Sequence, residues 1–240
     1  ELRGTLYSNA GKEALPLFFL GSSMQIIDSE NLMIMDDYTT FMHEDTWLNS
    51  KRTEITLSEE REITKICFFD DVTAEIYEPD PDKPGEIYRL FSRDARAIFK
   101  NGAIDHIELN RGFLIENINE DIYLSGRRSL IFFRDSRADR ILFYNGFYAN
   151  YEENGLYAFT GYMDSATNTI FAHSSPILYN YPYVTRAKAI TIRIDSKHLN
   201  AEDNVHTIVP DYDQRPDKRK AHGDSSNANR LDIHSDRLDY

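Results

Sequence analysis

The chain has 240 residues with 40 acidic against 27 basic side chains, a formal net charge of −13 and a pI near 5.0. That balance excludes a general nucleic-acid binder, which needs cations to displace counterions from phosphate. Hydrophobic residues make up 41% and aromatic residues 12%, enough for a sizeable core and more than a disordered chain carries.

Residues 1–14 read as a polar N-terminal arm, with a helical turn expected after Asn9. Strand-like patterning starts at Leu15 and continues through Leu15–Leu20, Met24–Ile27 and Leu32–Met35; Met42–Ser50 reads as a loop or short helix, and Thr53–Leu57 alternates again. Ile63–Phe69 suits burial on both faces over its second half. Three prolines between Glu78 and Gly85 mark a long hairpin connection from Ala74–Tyr77 to Ile87–Phe91. Asn101-Gly102 is a tight turn, and Asn110-Arg111-Gly112 reads as a second turn that sends Phe113–Ile115 back along Ile104–Leu109.

Further strands follow at Ser129–Phe133, Arg140–Tyr144, Leu156–Tyr162 and Thr169–Ala172, with turns at Asn145-Gly146 and Asn154-Gly155. The cleanest alternation is Ala189–Ile194, its isoleucines on one face and Thr191 and Arg193 on the other. Short strands with Gly/Asn turns and no sustained helical period predict an all-β, mainly antiparallel fold. The expectation is one β-sandwich domain over residues 15–200, one or two short helices, a C-terminal tail over 201–240 and no strict internal repeat.

Cys67 is the one cysteine, so no intrachain disulfide forms, and its apolar surroundings suit a buried thiol. No Asn-X-Ser/Thr acceptor occurs, and the apolar run Leu15–Gly21 is too short to span a bilayer. An intracellular, soluble protein is therefore expected. None of the seven histidines forms a metalloprotease or zinc pattern; His43-Glu44-Asp45 reads as a surface loop, and Asp80-Pro81-Asp82 lacks the later ligands of a calcium loop. No nucleophile elbow, P-loop or dinucleotide-binding turn is present, so the expectation is no enzyme, no metal site and no required cofactor.

Eight tyrosines crowd residues 144–183, and Ile177–Tyr183 is more aromatic than a solvent loop requires. Core packing and an interface between molecules both account for them. The tail carries nine acids, six Lys/Arg and too few apolar residues to order itself alone, so contacts with neighbouring chains are expected at Arg215–Lys220 and Leu231–Tyr240. Candidate contact residues are Tyr179, Tyr181, Tyr183, Arg215, Arg219 and Tyr240. Deprotonating every Tyr and Lys takes the net charge to about −37, so a dense assembly of this chain is expected to separate in strong alkali.

Several strings resemble cypovirus polyhedrins, the matrix proteins of insect-virus occlusion bodies. They are Leu2-Arg3-Gly4 with Leu6-Tyr7-Ser8-Asn9, Phe91-Ser92 with Ala95-Arg96-Ala97-Ile98, the stretch Ile107–Ile115, the strand Ala189–Ile194, and Leu231-Asp232-Ile233-His234-Ser235. The resemblance implies a β-sandwich with an arm reaching a neighbour, self-assembly into a crystal lattice around virus particles in the host cytoplasm, and release in alkali. It also admits a nucleotide held between subunits, and it implies no membrane and no sequence-specific nucleic acid as partners. No family binding residue matches this chain position by position. The alternative is a βγ-crystallin-like calcium module, on the likeness of Asn101–Leu109 and Gly112 to that family's Greek-key strand; Asp105 stands where that family has serine.

Overall fold

Apolar side chains alternate with polar ones along each long strand, and once per strand the alternation slips. Those slips shape the molecule. The computed structural model describes residues 2–6, 17–43, 46–78, 85–119, 122–134, 137–151, 154–209 and 231–239. Its first strands are β1 (Leu2–Leu6), β2 (Leu17–Gly21), β3 (Ser23–Ile27), β4 (Leu32–His43), β5 (Thr46–Leu57) and β6 (Ile63–Glu78). The middle holds β7 (Glu86–Lys100), β8 (Ala103–Asn117), β9 (Ile122–Arg134), β10 (Arg137–Tyr151), β11 (Asn154–Ala158) and β12 (Thr160–Asp164). The last are β13 (Thr169–His173), β14 (Ile177–Asn180), β15 (Tyr183–Arg186), β16 (Ala189–Arg193), β17 (His198–Val209) and β18 (Leu231–Asp239).

All pairings are antiparallel and join one sheet. Several short strands are halves of one long strand. β2 and β3 both lie along β4, with Phe18 opposite Met42 and Gln25 opposite Ile34. β11 and β12 lie along β10 in the same way, β14 and β13 continue outward from them, and β15 and β16 both lie along β17. Counting each such pair once gives, among the described residues, a meander of fourteen rungs: β1, β2/β3, β4 to β10, β11/β12, β13/β14, β15/β16, β17 and β18. The pairings β10–β12–β13–β16–β17–β15–β14–β11–β10 also close a hydrogen-bonded circuit, which encloses the corner where these rungs bend.

The bend follows a rule. In alternate rungs the inward residues flanking it are three apart: Gly21 and Met24, Ser50 and Thr53, Ser92 and Ala95, Gly126 and Ser129, Ala158 and Gly161, Ala187 and Ile190. In the intervening rungs they are four apart: Met35 and Thr39, Phe68 and Val72, Leu109 and Phe113, Phe143 and Phe147, Ala172 and Pro176, Ala201 and Val205. Every four-residue corner contains two consecutive left-handed residues: Asp37-Tyr38, Asp70-Asp71, Arg111-Gly112, Asn145-Gly146, Ser174-Ser175 and Asp203-Asn204. That conformation costs a non-glycine side chain about 1–3 kcal/mol. Asp, Asn and Gly tolerate it best, which explains their share of these positions.

Hydroxyl groups satisfy carbonyls that the corners turn away from the ladder. The Ser92 hydroxyl donates to the Asp94 carbonyl at 2.7 Å, with the Gly112 carbonyl at 3.0 Å also in reach. Ser22 does the same for Asp36 and Asp37 at 3.0 and 2.9 Å. Ser50 and Thr53 hydrogen-bond to each other at 2.8 Å, and Thr185 to Thr207 at 2.9 Å.

The core fills the inside of the bend and runs as one cluster from Phe19 on β2 to Val205 on β17, with Leu238 of β18 packed against it. Aromatic rings from both sides of the corner meet there. Phe143 stacks on Phe147 across its own corner at 4.5 Å and on Phe113 at 6.0 Å, while Phe41 meets Phe68 edge-on at 5.5 Å. Glycine makes room for this contact. A Cβ on Gly126 would stand 2.7 Å from the Gly146 carbonyl oxygen and 2.8 Å from the Phe113 ring.

The all-β antiparallel expectation holds, with two corrections. The structure is a bent continuous sheet with a closed pairing circuit rather than two separate sandwich sheets, because the chain turns at corners without leaving the sheet. No α-helix occurs among the described residues; Met42–Ser50 is strand, and Asp28–Glu30 forms a short 3-10 turn. The expected boundary at residue 200 falls inside β17. Pairing of Leu231–Val209 through Asp239–Asn200 sets β18 on the chain's own β17, which removes the need for a neighbouring chain to order that segment. The expected helical turn after Asn9 lies outside the described residues.

Candidate functional site

The features left over after folding are two sheet ends, a charged corner ridge and an aromatic outer surface. At the first end, among the described residues, β1 pairs with β2 alone and β3 with β4 alone. A cavity of about 440 Å³ opens there, lined by Gly4, Phe18, Phe19, Leu20 and Met42 with Arg3 at its rim. Phe19 fills the space above Gly4, whose missing side chain lets the ring lie flat on β1. At the other end β18 pairs with β17 and with no other strand among the described residues. Neither end strand holds proline or lysine, the residues that commonly blunt a sheet edge.

The corner ridge alternates in charge across neighbouring strands. Asp70 and Asp71 on β6 face Lys51 on β5, and Lys51 hydrogen-bonds the Asp71 carboxylate. That hydrogen bond, helped by the charges of Lys51 and Arg93, holds the Asp71 carboxyl below its ordinary range. The same hydrogen bond raises the Lys51 ammonium, with the Asp71 charge adding to it. Next along the ridge lie Arg93 on β7, Arg111 on β8, and Arg127 and Arg128 on β9, because the register gaps of these strands face one another. Arg111 hydrogen-bonds Asp94, which raises the guanidinium further. Arg127 makes no ion pair among the described residues.

Beside the ridge, on the outer face, is a basin of about 330 Å³ between β6 and β9. Its outward rows run Cys67–Arg96–Glu108 and Phe69–Asp94–Asn110, with Arg128 next in line over the Tyr144 ring at 5.9 Å. Cys67 is buried, as its apolar setting suggests. Arg96 approaches Glu108 at 3.4 Å, and His106 lies 2.7 Å from Asp105.

The tyrosine-rich segment divides between outer surfaces. Tyr148 and Tyr157 are direct cross-strand neighbours on β10 and β11. Tyr162 stacks on Phe171 at 4.5 Å with Arg140 over its ring at 5.5 Å. Of the residues singled out as contacts, Tyr179 and Tyr183 sit on the β14–β15 hairpin and Tyr181 at its turn, where it is 75% exposed. They lie within the run of rungs rather than at a sheet end. Arg215, Arg219 and Tyr240 lie outside the described residues, as do Glu44-Asp45 and Asp80-Pro81-Asp82. No group of three or more His, Cys, Asp or Glu that could hold a metal occurs among the described residues. Around Asn101–Leu109 the strands form a sequential meander, which corrects the Greek-key reading of that segment.

Sequence reading missed the corner arginines and the corner rule itself. The signal was available as residue pairs such as Asp70-Asp71, Arg111-Gly112, Asn145-Gly146 and Asp203-Asn204, recurring once every two rungs. Long-strand register was needed to see it.

No helix among the described residues is long and apolar enough to cross a membrane, a statement that does not extend to strands. No protein-family model matches the chain, and no curated protein does. Among solved structures it is similar to LptH from Pseudomonas aeruginosa, described as the LptA-homologous periplasmic component of the conserved lipopolysaccharide transport device. Identity is 8%, coverage is 91% of this chain and 94% of that one, and the TM-score is 0.26, too low for the likeness to carry an argument about this chain. The occlusion-body reading is corrected on the fold itself: the C-terminal strand on which that reading leaned for contacts with neighbouring chains is paired within its own sheet.

Proposed function

We propose that the chain is a non-catalytic β scaffold that joins copies of itself end to end, β18 of one copy adding to β1 of the next. The carrying observation is phase. β1 is the first rung and β18 the fourteenth, so strand direction alternates correctly across a junction between copies. Corner type supports the same order. Ser235 and Leu238 on β18 lie opposite Val205 and Ala201, a three-residue corner, so a rung added beyond β18 takes the four-residue type.

Both ends extend the core rather than cover it. Leu238 continues the apolar interior at one end, and Phe19 over Gly4 continues it at the other. In this reading the two halves of the bent sheet work like facing sandwich layers, and stacking copies prolongs the space between them. Of the conspicuous hydroxyls, Ser50 and Ser92 hold corners and Thr185 bonds Thr207 on the neighbouring strand, which supports a structural role over a catalytic one.

Sedimentation velocity over a concentration series tests the proposal. The wild-type chain is expected to form a ladder of species that lengthens with concentration, since unlike ends joined by a non-closing rotation give open chains. Thr5→Pro in β1, which removes a backbone donor, should leave a monomer. A wild-type monomer at every concentration would overturn the reading.

A further inference from the structure

We infer that the basin beside the corner ridge is a binding site for a phosphate monoester carrying a neighbouring hydroxyl group. Three guanidinium groups, Arg96, Arg111 and Arg128, line it. Guanidinium is the side chain whose planar fork matches phosphate oxygens. Arg93 and Arg127 lie on the adjoining ridge, so a chain of net charge −13 gathers five arginines on three neighbouring strands. Asp94 and Glu108 in the basin, with Asp70 and Asp71 on the ridge, offset part of that charge; Arg111 engages Asp94 and Arg96 engages Glu108.

A second observation fixes the other half of the ligand. Asp94 gives one carboxylate oxygen to Arg111, while its Oδ1 is shut off from solvent and has no hydrogen-bond partner. Buried polar atoms are rarely left so. An acceptor at the wall of a cationic basin asks for a donor that arrives together with an anion. A phosphate monoester with a hydroxyl on the next carbon supplies both, its phosphate on Arg96 and Arg128 and its hydroxyl on Asp94. Asn110 adds an amide to the same wall. The site is on the outer face and does not depend on end-to-end assembly.

Calorimetric titration of the full chain with glycerol 3-phosphate, ethyl phosphate and glycerol separates the two halves of the claim. Glycerol 3-phosphate is expected to bind saturably, ethyl phosphate more weakly, and glycerol not at all. Arg96→Gln with Arg128→Gln should weaken glycerol 3-phosphate by at least ~10-fold, since charge-assisted bidentate bonds are among the strong ones. Both side chains are exposed, so an unchanged thermal transition in that variant confirms that the fold is intact. Asp94→Ala, which removes the acceptor, should make glycerol 3-phosphate and ethyl phosphate bind that variant with equal affinity. No saturable binding by the wild-type chain, or binding unaffected by the arginine substitutions, would refute the site. Equal affinity of the wild-type chain for the two monoesters would refute the role of Asp94.

Discussion

Ser92 shows how much one side chain carries at a corner. It is buried, and its single hydroxyl serves carbonyls on β7 and β8 that the bend has removed from the ladder. Ser92→Ala should cost about 1–3 kcal/mol, the penalty for leaving buried acceptors unpaired, measured as a lower midpoint in urea without a change in slope. Lys51 and Asp71 give a pH dependence with a definite sign. The Asp71 carboxyl is depressed in the folded chain, so its contribution is present above the ordinary carboxylate range and fades as pH falls through the depressed value. Lys51 is raised, so its contribution is present below the ordinary amine range and fades as pH rises through the raised value. In the Lys51→Met variant, the Asp71 carboxyl should titrate closer to its ordinary range by NMR. A titration identical to the wild type would show that the pair is not formed in solution.

Corners set the limit on what could be read from the sequence. Ile63–Phe69 is legible as a strand from its apolar run and Ala189–Ile194 from its alternation, and the structure buries the consecutive Ile66, Cys67 and Phe68 in the first and Ile190 and Ile194 in the second. The β6–β7 pairing across the proline-rich segment also follows the sequence, with Tyr77 opposite Ile87. Asn145-Gly146 and Asn110-Arg111-Gly112 carry the residues of a hairpin turn, yet each sits in mid-strand. A left-handed pair bends a strand as readily as it reverses one; the choice depends on whether the adjacent strand continues beyond it, which local residue type does not record. Glycine and phenylalanine then pack the bend. Gly126→Ala would force its Cβ against the Gly146 carbonyl and the Phe113 ring, an overpacking that should cost about 1–3 kcal/mol. Phe143→Ala opens a cavity under the same corner and should cost about 3–5 kcal/mol. Thermal and denaturant unfolding of both variants would check this, and near-neutral results would mean that the corner packing is looser than described.

Over the whole molecule, the parity of the rungs links fold to proposed assembly. Among the described residues the rungs number fourteen, so β1 and β18 run in opposite directions and can pair antiparallel across a junction between copies. The tail, whose composition suggested dependence on neighbours, supplies a terminal rung in β18. The exposed tyrosines of the β14–β15 hairpin are away from the proposed junction, so Tyr181→Ala should leave sedimentation unchanged.

The most direct test mixes two chains, each blocked at one end: Thr5→Pro in β1 and Asp236→Pro in β18. Each alone should sediment as a monomer, and the mixture should give a one-to-one dimer that grows no further, because only one pair of intact ends is available. A dimer formed by either variant alone, or no association in the mixture while the wild-type chain assembles, would contradict head-to-tail addition.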